Sequence, residues 1–197
     1  MNFHWNIETY LLVSTIALSL LGSVLIMKIN WKQYGLLYVT AAITGNIICY
    51  IFVSLGLYSF PYRLFPRLAR FPLFTILTLF PFYVMAGVRY SPKKWVYKIP
   101  FYWAVVHIGV LVEVLAEKYT QIIKYGRSWD TWDSYTWWWL FLLTMEYVGG
   151  LFVSNEFRKP VDEELFRYGK KGWFIFHFIV IVTIFLAGID MGVMISK

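Results

Sequence analysis

FPLFTILTLFPFYVMAGV, residues 71–88, carries no charge over its whole length and holds two prolines. At ~1.5 Å of rise per residue such a run is barely long enough to cross a hydrocarbon core of roughly 30 Å. Pro72 suits a first helical turn, whereas Pro81 removes an interior hydrogen bond and is expected to kink or break the helix. The fold turns on this segment. If it crosses, the chain is an all-α integral membrane bundle of six transmembrane helices; if Pro81 breaks it, the bundle has five plus a re-entrant third segment.

Five further apolar runs read as helices, at 10–27, 34–60, 99–115, 135–157 and 173–195. The chain is 59% hydrophobic and 21% aromatic with 15% charged residues, too apolar for a soluble domain of 197 residues. One bundle fills that length, so 1–197 reads as a single transmembrane domain. The 18 Lys and Arg outnumber the 11 Asp and Glu, but they flank the apolar runs and form no basic stripe. Membrane lipids are therefore the expected partners, with another membrane protein a candidate and nucleic acid excluded. The lone Cys49 has no second thiol for a disulfide or a metal site. Met1 to Thr9 lacks the basic start of a signal peptide, so the first run is expected to stay as a span.

Six crossings with both termini outside put eleven Lys and Arg inside against seven. A re-entrant third segment, with the N-terminus inside, gives twelve against six. Both arrangements place Arg89 to Lys98 and Arg158 to Gly172 in the cytoplasm and Ala116 to Ser134 outside. Gln33 separates them, being inside in the first and outside in the second.

Five ionisable residues interrupt the apolar runs of the second half: His107, Glu113, Glu146, His177 and Asp190. A charge at the bilayer centre costs roughly 2.5 to 3.5 kcal/mol on insertion scales, so each needs a partner or a purpose. Counted from the cytoplasmic end, they fall at ~6 Å (His177), ~12 Å (His107), ~16 Å (Glu146), ~21 Å (Glu113) and ~25 Å (Asp190). Facing one another, they would line a polar cavity or pass protons. His107 and Glu146 are expected to meet near the middle, because Gly149 and Gly150 leave the face of Glu146 small.

Arg63, Arg67 and Arg70, at i, i+4 and i+7, have the pattern of an interfacial helix contacting lipid phosphates, although Pro61 and Pro66 favour a short turn. Trp129, Trp132, Trp137, Trp138 and Trp139 surround Asp130 and Asp133 as an aromatic belt; the alternative is a platform for a sugar or headgroup. Asp133 or Ser134 is the expected cap of the fifth helix. Glu113 and Glu117 share a face, with Lys124 a partner for Glu117. Gly188 and Gly192 form a small-xxx-small pair. No metal, hydrolase or nucleotide signature occurs, so no cofactor or metal site is expected and no motif stands behind an enzyme.

The string HIGVLVEVLAEKYTQIIKYGRSW, residues 107–129, resembles a segment of a family of small multi-pass membrane proteins of Bacillus and Clostridium type bacteria. His107, Glu113, Thr120, Lys124, Tyr125 and Trp129 carry the likeness, which extends over Ile99 to Arg158. It implies a bacterial plasma membrane and names no reaction. The leading expectation is an accessory or ligand-binding membrane protein with a polar cluster among its last three helices. A small proton-linked transporter comes second and an intramembrane enzyme third.

Overall fold

The computed structural model describes residues 6–166 and 169–195. The described chain is all-α, built on six helices: α1 (Ile7–Met27), α2 (Trp31–Ser54), α3 (Leu73–Tyr90), α4 (Trp95–Tyr119), α5 (Thr131–Phe152) and α6 (Lys170–Ile195). Helices α1 to α4 are each long and apolar enough to cross a membrane, and they mark the chain as a membrane protein. Asp133, Glu146 and four tryptophans make α5 less apolar along its length. Helix α3 packs against α1, α2 and α5, while α4 and α6 rest chiefly on α5. Leu18, Ile43, Leu111 and Phe178 are among the large apolar side chains left facing outward, as helices bathed in lipid require.

Helix ends gather at two poles. At one, Gln33 accepts from the Ser154 amide at 3.0 Å, Tyr34 donates to the Phe157 carbonyl at 3.0 Å, and Lys94 pairs with Glu163 at 3.4 Å. This basic pole holds the start of α2, the α3–α4 turn and the chain after α5. At the opposite pole Thr9 hydrogen-bonds Tyr62, and the Gln121 amide donates to Glu8 at 3.3 Å.

Pro81 sits inside α3 without breaking it, which rules out the alternative of a Pro-broken third segment. A proline at 81 leaves the carbonyl of Leu77 without its helical donor. The Tyr38 hydroxyl of α2 supplies the missing bond, at 2.8 Å. A neighbouring helix thus satisfies the freed backbone group, the condition under which proline is tolerated in an apolar helix.

Two helices end earlier than the apolar runs do. Helix α2 stops at Ser54 because Gly56 takes a left-handed φ of 72°. Gly56 N bonds Val53 O at 3.1 Å and Leu57 N bonds Phe52 O at 3.0 Å, the paired bonds of a Schellman cap. The freed chain forms β1 (Tyr58–Ser59), which pairs antiparallel with β2 (Lys124–Tyr125) between α4 and α5. This strap crosses the second pole. Helix α5 begins on a capping box in which Asp130 is the cap and the Asp133 carboxylate accepts from the Asp130 amide at 2.8 Å, so the cap falls earlier than expected. It ends at Phe152, where Val153 turns extended.

Residues 61–70 form no helix; a turn lies over 66–68. Pro61 and Pro66 prevent the regular spacing that would align the three arginines. Arg63 instead donates to the Arg70 carbonyl at 2.9 Å.

Candidate functional site

Glu146 and Glu113, the two carboxylates named above in the runs now seen as α5 and α4, sit in different surroundings. Glu146 lies six residues before the end of α5, with its side chain fully buried. One oxygen accepts from Lys98 of α4 and from Arg158 at 3.1 Å. The other accepts from Tyr102 at 2.6 Å and from Ser91, the residue closing α3, at 3.1 Å. Lys98 and Tyr102 share one face of α4 by their i, i+4 spacing.

Arg158 reaches Glu146 because the chain doubles back after α5. The Phe157 carbonyl is held by Arg89 at 2.9 Å and by Tyr34, and the Lys159 amide by the Arg89 carbonyl at 2.9 Å. Lys98 and Arg158 are as buried as the carboxylate requires, each with 8% of its side chain exposed. Two cations therefore surround one carboxylate, and the Arg158 Nη2 group is buried without a partner among the described residues. Gly149 brings α3 close: a Cβ there would lie 2.5 Å from Val88. The small face beside Glu146 thus serves α3 and not α4.

The expected pairing of His107 with Glu146 is not formed. His107 faces outward, its Nδ1 against the Trp103 carbonyl at 2.7 Å and its ring beside Trp103 and Tyr135. It lies five residues beyond Tyr102, about 140° round the helix from the face that meets Glu146. His177 makes the same local bond, to the Trp173 carbonyl at 2.9 Å. Asp190 has a side chain outside the described residues. The five-member ladder does not assemble among the described residues: Glu146 belongs to the basic pole and Glu113 to the strap pole.

Glu113 receives three neutral donors. Its Oε1 accepts from Ser134 at 2.6 Å and from Tyr125 at 3.0 Å, and its Oε2 from the Trp138 indole at 2.8 Å. Trp129 in turn donates to Ser134 Oγ at 2.8 Å. Ser134 and Trp138 are i, i+4 on α5, and Tyr125 is presented by the strap. Burial pushes the Tyr125 phenol above its ordinary pKa, and the Glu113 charge pushes it further, so it remains a neutral donor. Glu117 pairs with Lys124 at 3.9 Å, as its spacing suggests. No cation among the described residues pairs with Glu113.

Glu113 forms part of the wall of a groove of about 680 Å³ bounded by α1 to α5 and the strap, a size typical of small-molecule sites. The walls are almost wholly apolar, and no Lys, Arg or His lines them among the described residues. Ile7 and Leu11 of α1 and Ile108 and Val112 of α4 border the groove while also facing outward. The groove therefore opens sideways between α1 and α4. Trp129, Trp137 and Trp138 line it, and Trp129 is buried; these rings build a wall where an aromatic belt was expected, whereas Trp132 does face outward. Gly188 and Gly192 of α6 meet nothing within 4 Å. No three His, Cys, Asp or Glu groups come together to hold a metal ion among the described residues.

An apolar groove with one acidic group, opening to the side of a helical membrane bundle, defines the site. No protein-family model matches the chain, and no curated protein or solved structure matches it either.

Proposed function

We propose that this chain is a six-span membrane protein that binds an amphiphile, holding its apolar body in the groove and its head at Glu113. The observation that carries the reading is the placement of Glu113: a carboxylate with no cation among the described residues, on the wall of a large apolar groove. An isolated carboxylate in apolar surroundings is costly to maintain, so its retention fits a ligand that completes it. The proton-linked reading draws less support, since Glu113 and Glu146 share no hydrogen-bond partner and stand about 17 Å apart along α4, judged from Tyr102 and Glu113.

Six crossings agree with the two poles. Gln33, Ser154 and Lys94 gather at one end, which fits alternating passage of α1 to α5, and α6 adds 26 residues of apolar helix. Ten of the described Lys and Arg then lie at the inner pole. A bacterial plasma membrane as the setting rests on the resemblance at 107–129 alone.

Two measurements test the reading. In protein reconstituted into nanodiscs, a long-chain amphiphile carrying a diazirine in its tail is expected to label peptides of α1 and α4, and Ala116→Trp, which fills the groove, should abolish the labelling. Labelling spread evenly over α6, or unaffected by Ala116→Trp, would refute the site. For the spans, an introduced cysteine at Gln33 should resist an impermeant thiol reagent added outside intact cells, as one at Lys94 should. Modification of Gln33→Cys alone would restore the re-entrant arrangement.

A further inference from the structure

We infer that the head recognised at Glu113 is a quaternary ammonium carried on an amphiphile with no adjoining phosphate. The inference rests on the groove reading and narrows its ligand. A carboxylate offers about four lone-pair sites, and Ser134, Tyr125 and Trp138 occupy three at 2.6 to 3.0 Å. A primary ammonium carries three N–H donors, and Glu113 has room for one. The two left over would have to find hydroxyl acceptors on a wall that is almost wholly apolar, at a desolvation cost. A quaternary ammonium has no N–H to satisfy. It still complements the charge of Glu113, and it gains from aromatic faces within about 6 Å.

Aromatic rings line this part of the groove and brace one another. Trp138 touches Glu113 through its own N–H, and Trp129 is one hydrogen bond removed. Phe52 lies 4.9 Å from Trp129 and 4.7 Å from Trp137 between ring centroids, and Tyr58 lies 5.6 Å from Trp129. All five rings line the groove. Together they give a carboxylate set among aromatic rings, the surroundings in which a methylated cation is favoured over a protonated one. A phosphate attached to the head would find no Lys, Arg or His on the groove wall among the described residues. A cationic amphiphile is therefore preferred to a zwitterionic lipid.

Competition against the diazirine probe in nanodiscs separates the possibilities, using dodecyltrimethylammonium, dodecylamine, dodecanol, dodecanoate and a dodecyl lysophosphocholine. The expected order places dodecyltrimethylammonium first, at least about tenfold ahead of dodecanol. Glu113→Gln should bring these two to parity while dodecanol still competes, showing that the groove remains folded. Phe52→Leu should weaken dodecyltrimethylammonium about three- to tenfold and leave dodecanol unchanged, as loss of a cation–π contact requires. Equal competition by all five in the wild-type protein, or a first place for dodecylamine or the lysophosphocholine, overturns the inference and leaves the groove reading standing. Failure of every amphiphile to compete overturns both.

Discussion

Glu146 and Glu113 are two carboxylates on antiparallel neighbouring helices, each with both oxygens in hydrogen bonds, and they differ in what donates to them. Around Glu146 two donors are cations and the side chains are sealed from their surroundings. Around Glu113 every donor is neutral, and the group borders open apolar space. The first arrangement matches the carboxylate with two cations and ties α3, α4, α5 and the returning chain to one point. The second orients a carboxylate and leaves its charge unmatched. Hydrogen-bond number does not separate a staple from a site; the charge balance of the donors does.

The largest effect should come from Glu146→Gln, which strands Lys98 and Arg158 as buried cations. Breaking a buried ion pair costs about 3 to 5 kcal/mol, so thermal unfolding in detergent should fall sharply or folded protein should be lost. Replacing the set together, as Glu146→Leu with Lys98→Met and Arg158→Met, should recover most of that loss. A triple variant no more stable than the single one would mean the ions do more than neutralise each other. Glu113→Gln should be milder. The amide oxygen keeps the donors Ser134 and Tyr125, and the indole of Trp138 loses its acceptor, for a cost of about 1 to 2 kcal/mol. Should unfolding measurements give Glu113→Gln a penalty equal to that of Glu146→Gln, the contrast between the two carboxylates collapses. His107→Leu, on an outward face, is expected to change neither unfolding nor probe labelling; a fall in labelling would tie His107 to the groove.

Helix number and class were readable from hydropathy because an apolar run of about 20 residues has few other uses. The choice between a crossing and a Pro-broken third segment stayed open because the remedy for Pro81 lies 43 residues away in Tyr38, and no local pattern reports such a bond. Glu146 was found as a polar interruption, yet its partners were missed. Extending the fifth span to 157 carried Arg158 away from the bundle, whereas the chain turns at Val153 and brings it back. Lys98 was counted as a loop charge although α4 begins earlier, at Trp95. One signal was available: Lys98 and Tyr102 at i, i+4 form a donor face that His107 does not share. The Glu113 site was half visible in the aromatic residues beside Asp130 and Asp133, which served equally as a belt until the fold turned Trp129 and Trp138 inward.

The strap between β1 and β2 decides how the groove communicates with the cell. It lies at the second pole and contributes Tyr58 to the groove wall, while the gap between α1 and α4 opens the groove to the side. A ligand arriving there has already partitioned into the bilayer. Occupancy then follows the mole fraction of the amphiphile in the leaflet and not its dilute aqueous concentration. On the proposed reading, a weak intrinsic affinity is enough for saturation.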